Sequence, residues 1–245
     1  MKTVIFKEDM KFDEPVNACI GYFDAMHRGH RKLIDLCVLS AKKSQLKSAL
    51  ICFDPDPVDI ITNHKTNHLF SLKERKNLIN DTGIDEMIII HFDEEVMKTD
   101  PLVFIERYLN RMNIKELFCG FDYSFGYMGK GNSDLLKAHG DFITTVLPEY
   151  SCYGRKVSST RIKQEISKGN FKLVNRLLGF NYYQIVKVIN VSQRGSKQLI
   201  QAVQAEKHII RPAQGEFDNF SYKDDVFSFE SEQRLRPGDL YKLCL

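Results

Sequence analysis

Through the first two thirds of the chain, short apolar runs alternate with stretches whose apolar positions recur at helical spacing. Val16–Ile20 reads as a buried strand, and a glycine-containing turn follows it. From Arg28 to Ser44 the residues Leu33, Ile34, Cys37, Val38 and Ala41 fall on one helical stripe. Residues 48–53 and 87–91 form further strands. Between them Ser71-Leu72-Lys73-Glu74 has the spacing of a capping box and opens a helix towards Leu78 and Ile79. Asp100-Pro101 starts another helix, with proline where its missing N–H costs nothing. A strand over 116–120, a loop rich in glycine and aromatics, a helix over Ser133–His139 and a strand over 142–147 complete this region. Strands separated by helices of this length predict an α/β fold with a parallel sheet wound on both sides.

Two short helices follow, over 159–168 and Phe171–Leu178, with Gly169 between them as a C-terminal stop. After Gly179 the helical period vanishes. Residues 182–191, 198–204 and 241–245 pattern as strands, with turn residues at Arg194-Gly195, Gly215 and Pro237-Gly238. The expected organisation is a larger domain over residues 1–180 and a small all-β domain over 181–245, near the lower size for independent folding.

Composition narrows the class without changing it. The 245 residues suffice for one large domain or one large and one small. A formal charge of +3, from 35 basic against 32 acidic residues, gives no general attraction to nucleic acid or a membrane surface. The six cysteines, at 19, 37, 52, 119, 152 and 244, contain no C-x-x-C pair, so neither a zinc site nor a thioredoxin-like motif is expected. Several lie in apolar runs, as free cysteines do in a reducing compartment. Residues 1–13 lack the apolar core of a signal peptide, and no apolar stretch approaches the ~20 residues that span a bilayer. The expected location is cytoplasmic.

Four constellations carry candidate chemistry. Gly21-Tyr-Phe23-Asp24-Ala-Met-His27-Arg-Gly29-His30 lies where the first buried strand turns into the first long helix. Free N–H groups and the positive end of that helix suit a phosphate, and Gly29 would keep backbone close to the ligand. Two imidazoles three residues apart share a helical face and can donate to phosphate oxygens as charge builds in an in-line displacement. The rivals are an ordinary surface or core residue for each histidine taken alone, and a metal pair, but no HExxH pattern or third ligand accompanies the two. Val157-Ser158-Ser159-Thr160-Arg161-Ile162 opens a helix and forms either a second anion site or a capped helix with an exposed arginine. Cys119-Gly120-Phe121-Asp122-Tyr-Ser-Phe125-Gly126, continuing to Asn132, offers aromatics that could cover a planar base and a carboxylate for a hydroxyl or amide. The alternative is an aromatic-rich turn that holds core. Phe53-Asp54-Pro55-Asp56-Pro57 reads as a rigid extended segment at the carboxyl end of a strand, where ligand crevices form.

In this order the motifs resemble those of the FMN adenylyltransferase module of the bacterial riboflavin kinase/FAD synthetase family. Its G-x-F-D-G-x-H-x-G-H element matches Gly21 to His30, with Ala25 where glycine is usual. F-x-P-x-P matches Phe53 to Pro57, with Asp56 where histidine is frequent. G-x-[DN]-[FY]-x-F-G matches Gly120 to Gly126, and S-S-T-R-I matches Ser158 to Ile162. The similarity covers about residues 15–180.

The resemblance implies a Rossmann-like nucleotidyltransferase fold and the reaction of ATP with FMN to give FAD and pyrophosphate, assisted by Mg2+. It implies that His27, His30 and Arg161 are catalytic. It further implies that Gly21, Phe23, Asp24, His27, Gly29, His30, Asp122, Ser159, Thr160 and Arg161 line the ATP site, and that Phe53, Pro55, Pro57 and Phe125 line the flavin site. No metal ligand is assigned. Most members carry a riboflavin kinase domain with a G-[FY]-P-T-A-N motif; here Leu178-Gly179-Phe180-Asn181 leads on without a P-T-A-N string, so no kinase activity is expected. The tail is then a remnant of that barrel or an unrelated module. If the family glycine uses positive φ, Ala25 would be strained by about 1 kcal/mol or more; if it only admits the ligand, one methyl is tolerated. A non-catalytic nucleotide-binding regulator and a transferase for another phosphorylated acceptor are the alternative functions.

Overall fold

A computed structural model describes residues 1–194, 196–205, 215–216 and 220–245, which divide into two compact units. The first comprises Met1–Thr66 with Leu72–Lys156, and the second Asn67–Ser71 with Val157–Leu245.

The first unit contains β1 (Lys2–Phe6), β2 (Val16–Ile20), α1 (Arg28–Ser44), β3 (Lys47–Asp54), α2 (Pro57–Thr62), α3 (Leu72–Asn80) and β4 (Glu86–His91). It continues with α4 (Glu94–Lys98), α5 (Pro101–Phe104), β5 (Ile114–Gly120), α6 (Ser133–His139), β6 (Ile143–Leu147) and a two-stranded hairpin of β7 (Ser151–Cys152) and β8 (Arg155–Lys156). Six strands form a wholly parallel sheet in the order β1-β4-β3-β2-β5-β6. Strands covered on both faces are largely apolar, and β2 is buried at all five positions, its one polar residue, Asn17, being hydrogen-bonded. Ala18 and Ile20 join Ala49, Ile51, Phe104, Leu109 and Leu117 in one core cluster. The alternate residues turn towards α1, where Asn17 Nδ2 donates to Ser40 Oγ at 2.9 Å and Cys37 Sγ donates to the Asn17 carbonyl at 3.3 Å. Cys19, Cys37, Cys52 and Cys119 are all buried, as small hydrophobes are.

The chain steps from β2 outward through β3 to β4 and then returns to the other side of β2 with β5. Loops leaving the carboxyl ends of β2 and β5 therefore diverge at a topological switch point, the usual ligand crevice of such sheets.

Two short elements depart from the sequence expectation. The charged, alternating N-terminus supplies the edge strand β1, which pairs only with β4. The segment expected to stay extended through Pro57 instead turns helical there. Asp56 caps α2 by accepting from the Val58 N–H at 3.0 Å, and Pro57 occupies the first turn. The helix that starts at Pro101 continues through a π turn over Ile105–Leu109 and a 3-10 turn over Asn110–Met112.

In the second unit, α7 (Ser159–Ser167) and α8 (Phe171–Leu178) precede β9 (Tyr183–Arg194), β10 (Lys197–Gln204), β11 (Gly215–Glu216), β12 (Ser221–Lys223), β13 (Val226–Ser231) and β14 (Leu240–Cys244). Gly169 stops α7 at φ 73°, its N–H bonding the Ile166 carbonyl while the Asn170 N–H bonds that of Glu165. The strands make an antiparallel sheet in the order β11-β12-β13-β10-β9-β14. Phe171, Tyr182, Phe220, Phe227 and Phe70 supply much of its aromatic core. Gly215, expected in a turn, lies in β11, and β12 and β13 are strands the sequence pattern did not show. Gly195 lies outside the described residues.

Candidate active site

The loop from β2 to α1 is short and tightly wound. Phe23 and Met26 both adopt φ 47°, a left-handed conformation that costs a non-glycine residue on the order of 1–3 kcal/mol. Both side chains are buried, and that packing holds the turn. Ala25 between them is not among the residues with positive φ, so the strained alternative for that departure is not realised. The loop carries its strain on either side of the alanine.

His27 is the N-cap of α1: its Nδ1 accepts from the His30 N–H at 3.2 Å. The His30 ring stacks on it with centroids 3.7 Å apart and 14° between planes, and Phe23 meets His30 edge-on at 5.2 Å. Gly29 also serves the packing of the pair. A Cβ there would lie 3.1 Å from His27 Cε1 and 3.3 Å from Tyr150 Cβ, so its absence lets the His27 ring close against the helix. Phe23, read from the motif as lining the ATP site, is buried against His30 and over Gly21.

Burial depresses the pKa of His27 to about 4; its own backbone hydrogen bond, then Asp122 and Asp24, pull the other way, and Lys156 adds to the depression. His30 is held well below the ordinary imidazole value by burial and then by His27, against Asp24. Both rings are neutral at pH 7. Because His27 Nδ1 accepts a hydrogen bond, the single proton resides on Nε2, which is left as a donor for an incoming oxygen.

Asp122, at the end of β5, forms an ion pair with Lys156, whose ammonium also lies 4.8 Å from the Phe121 ring centroid. Asp122 is legible in the sequence and Lys156 is not, since it sits in a two-residue strand with no pattern of its own. The aromatic loop divides its residues in an unexpected way. Phe125, a candidate for the flavin, is 6% exposed and packs on Phe104 at 5.6 Å and Tyr123 at 5.7 Å. Gly131 is needed beside it, since a Cβ there would stand 2.7 Å from the Phe125 ring. At that position packing explains the glycine. Phe121 and Tyr127, at 45% and 43% exposure, are the aromatics this loop presents to solvent.

Phe53 is likewise buried, against Phe92 and Phe104. Pro55 is half-buried, and Pro57 begins α2. Arg75, on α3, is a residue that sequence reasoning misses: it is buried, and its Nη1 donates to the Tyr22 carbonyl at 3.4 Å. An arginine within a helical pattern carries no sign of where its head will go. The structure thus brings Asp24, His27, His30 and Asp122 to the switch point of the first unit. Ser159, Thr160 and Arg161 form the first turn of α7 in the second unit, where Ser158 caps the helix by accepting from the Arg161 N–H at 3.2 Å. Arg161 is buried there, not exposed as in a merely capped helix.

Residues 9–161 match the model of the FAD synthetase family. That span runs from before the histidine loop to Arg161, and includes three of the four constellations whole and the Val157–Ile162 one up to Arg161. This chain belongs to the FAD synthetase family. The bifunctional riboflavin kinase/FMN adenylyltransferase of Listeria monocytogenes serovar 1/2a is 30% identical over 203 residues, covering 80% of this chain and 65% of that one. The protein of that name from Bacillus subtilis is 28% identical over 180 residues, 72% of this chain and 57% of that one. This FAD synthetase family member therefore spans about three fifths of the length of these curated relatives. A crystal structure of a macrolide-efflux protein from Streptococcus pneumoniae covers all of this chain and 90% of its own, with a TM-score of 0.84 at 23% identity, and so shares the fold. Among the described residues no helix is long and apolar enough to cross a membrane.

Proposed function

We propose that this chain transfers the adenylyl group of ATP to FMN, giving FAD and pyrophosphate. The observation that carries the reading is the stacked, neutral pair His27 and His30 at the N-terminus of α1, set at the switch point of a sheet whose sequence matches the FAD synthetase family. A phosphate oxygen of FMN attacks the α-phosphorus of ATP, the bond from that phosphorus to the oxygen bridging to the β-phosphorus breaks, and pyrophosphate leaves. Negative charge grows on the phosphoryl oxygens as the bonds exchange. The Nε2–H of His27 donates to one of them, and the free N–H groups at the start of α1 supply further donors already in place. A neutral donor suits this step, because it needs no proton from solvent and loses none.

Gly21, Phe23, Asp24 and Gly29 shape this site around the pair, Asp122 takes a polar group of the nucleotide, and Ser159, Thr160 and Arg161 form a second phosphate clamp. Phe53, Pro55, Pro57 and Phe125 back the flavin side; because both phenylalanines are buried, they act by shaping its wall. Mg2+ would neutralise triphosphate charge and be held mainly by the phosphates, with Asp24, enclosed beside the histidine pair, the hard carboxylate that would help hold it. We read residues 1–180 as the transferase domain, 181–245 as a small β domain without kinase activity, and the cytoplasm as the location. The partners are the two small-molecule substrates, with no nucleic acid and no membrane.

Incubation with ATP, Mg2+ and FMN, followed by chromatography for FAD and a coupled assay for pyrophosphate, tests this directly. Equal amounts of the two products are expected. Binding of both substrates without either product would overturn the reading, and phosphorylation of added riboflavin would overturn its kinase clause.

A further inference from the structure

Arg75 has the features of a ligand-binding residue rather than a structural one. It is 5% exposed, and among the described residues the single hydrogen bond it makes is the long one from Nη1 to the Tyr22 carbonyl. Its Nε is buried without a partner, and none of its nitrogens is in an ion pair among the described residues. A guanidinium cannot shed its proton to escape burial, so a cation held this way without a carboxylate is costly to the fold. Its neighbours share the same deficit. Tyr22 Oη and His30 Nδ1 are also buried without hydrogen-bond partners. Three orphan polar atoms thus belong to the histidine loop and the arginine that touches it.

The position of the guanidinium indicates which anion it awaits. It touches the loop after β2, and its charge is felt by Cys52 in β3, alongside that of Asp54 at the end of that strand. Arg75 therefore lies on the β3 side of β2, the side of the Phe53–Pro57 segment. Asp122 and Lys156 lie on the β5 side, with the histidine pair on α1 between the two. A transferase that joins two phosphates needs separate holds for the triphosphate and for the attacking monoester, on opposite flanks of the reacting phosphorus.

We propose that Arg75 binds the phosphate monoester of the acceptor, while its Nη1 contact with Tyr22 ties that grip to the loop carrying His27 and His30. The assignment rests on the reading of FMN as acceptor, and a pair of ligands separates the two. FMN and riboflavin share the flavin ring and the ribityl chain and differ by the monoester alone.

Calorimetry of both flavins against the intact chain, as wild type, Arg75→Met and Arg75→Lys, is the test. Wild type is expected to prefer FMN, and Arg75→Met to weaken FMN by about 10- to 100-fold while leaving riboflavin unchanged. Lysine keeps the charge without the fork and is expected to restore some of the difference. The KM for ATP stays put in both variants. Removing an uncompensated buried charge should leave the melting temperature equal or higher, whereas a structural arginine would lower it. Should Arg75→Met fail to fold, Arg75→Lys is expected to show a several-fold loss of FMN preference by itself.

An FMN preference that survives Arg75→Met, or that Arg75→Lys leaves at its full wild-type size, overturns the assignment, as does a wild type that binds both flavins equally. A rise in the KM for ATP instead would give the arginine to the triphosphate and overturn it also. Wild type that binds no FMN at all sinks the acceptor reading and this inference with it.

Discussion

The loops after β2 and β5 leave adjacent strands at the same end of the sheet, yet they use their residues in opposite ways. In the β2 loop the polar side chains are the buried ones: Asp24 and His27 are enclosed, and the strained turn is fixed by Phe23 and Met26 beneath them. In the β5 loop the polar residues are outside, Asp122 paired with Lys156 in solvent, while Phe125 fills the core. The first loop sacrifices backbone ease and histidine protonation to hold two neutral rings in one orientation. The second is held by ordinary aromatic packing and leaves its tip, Phe121 and Tyr127, facing water. Preorganisation is thus concentrated where a charge would develop, and the other wall is a packed scaffold with an adaptable rim.

Paired substitutions in the β5 loop test that contrast most severely. Phe125→Ala is expected to cost about 3–5 kcal/mol of stability, and Phe121→Ala less than about 0.5, both read by urea denaturation. Comparable losses would mean that the loop is not divided between core and rim. In the β2 loop the large effect should be on rate. His27→Asn keeps an oxygen able to accept from the His30 N–H but has nothing in place of Nε2, so stability should hold while kcat falls about 100- to 1000-fold. His27→Ala should show the same rate loss with about 1 kcal/mol of stability lost as the cap disappears. A fully active His27→Asn would remove the imidazole from the chemistry.

The same contrast explains what could be read in advance. Strands such as Val16–Ile20 were legible because burial on both faces demands a largely apolar run, broken here only by Asn17, and α1 because five apolar residues keep one stripe. The edge strand β1 escaped, since it pairs on one side only and four of its five residues are not buried. The hairpin between β12 and β13 escaped because its turn is Asp224-Asp225, both at positive φ, in place of the usual glycine. At the site, His27, His30 and Asp122 were legible as chemical types at motif spacing. Whether an aromatic would face ligand or core was not, because Phe121 and Phe125 are alike as residues and differ only in what the fold packs on them. Arg75 and Lys156 stayed hidden for a related reason: long basic side chains are ordinary on surfaces, and only tertiary placement shows where each head ends.

The burial of His27 makes its own prediction about acid. Its folded pKa of about 4 lies below the ordinary imidazole value of 6.5. Between those two pH values the unfolded chain takes up a proton that the folded chain refuses, so stability is lost as pH falls through that window. The loss levels off below about pH 4 and amounts to about 3 kcal/mol from this residue. His30, depressed in the same direction, adds to it. Denaturation midpoints measured from pH 7 to pH 4 should drop, and His27→Asn should flatten the decline. An equal slope in the variant would mean that His27 titrates normally and is not buried as a neutral ring.

The smallest expected effect joins the two loops. Asp122 raises the His27 pKa, and Lys156 lowers it, so the exposed wall reaches the enclosed one through charge alone. Because Asp122 and Lys156 are both largely in solvent, Asp122→Asn should change stability by less than about 0.5 kcal/mol. It should nevertheless move the His27 pKa further down, an effect that NMR titration of the imidazole carbons can resolve and that added salt should shrink. If the titration is unchanged, the carboxylate does not act across the gap between β2 and β5, and the two loops are neighbours without sharing a field. A downward shift with stability intact would show that the exposed charges of the β5 loop tune a proton affinity that burial chiefly sets, while contributing nothing to the hold on the pair.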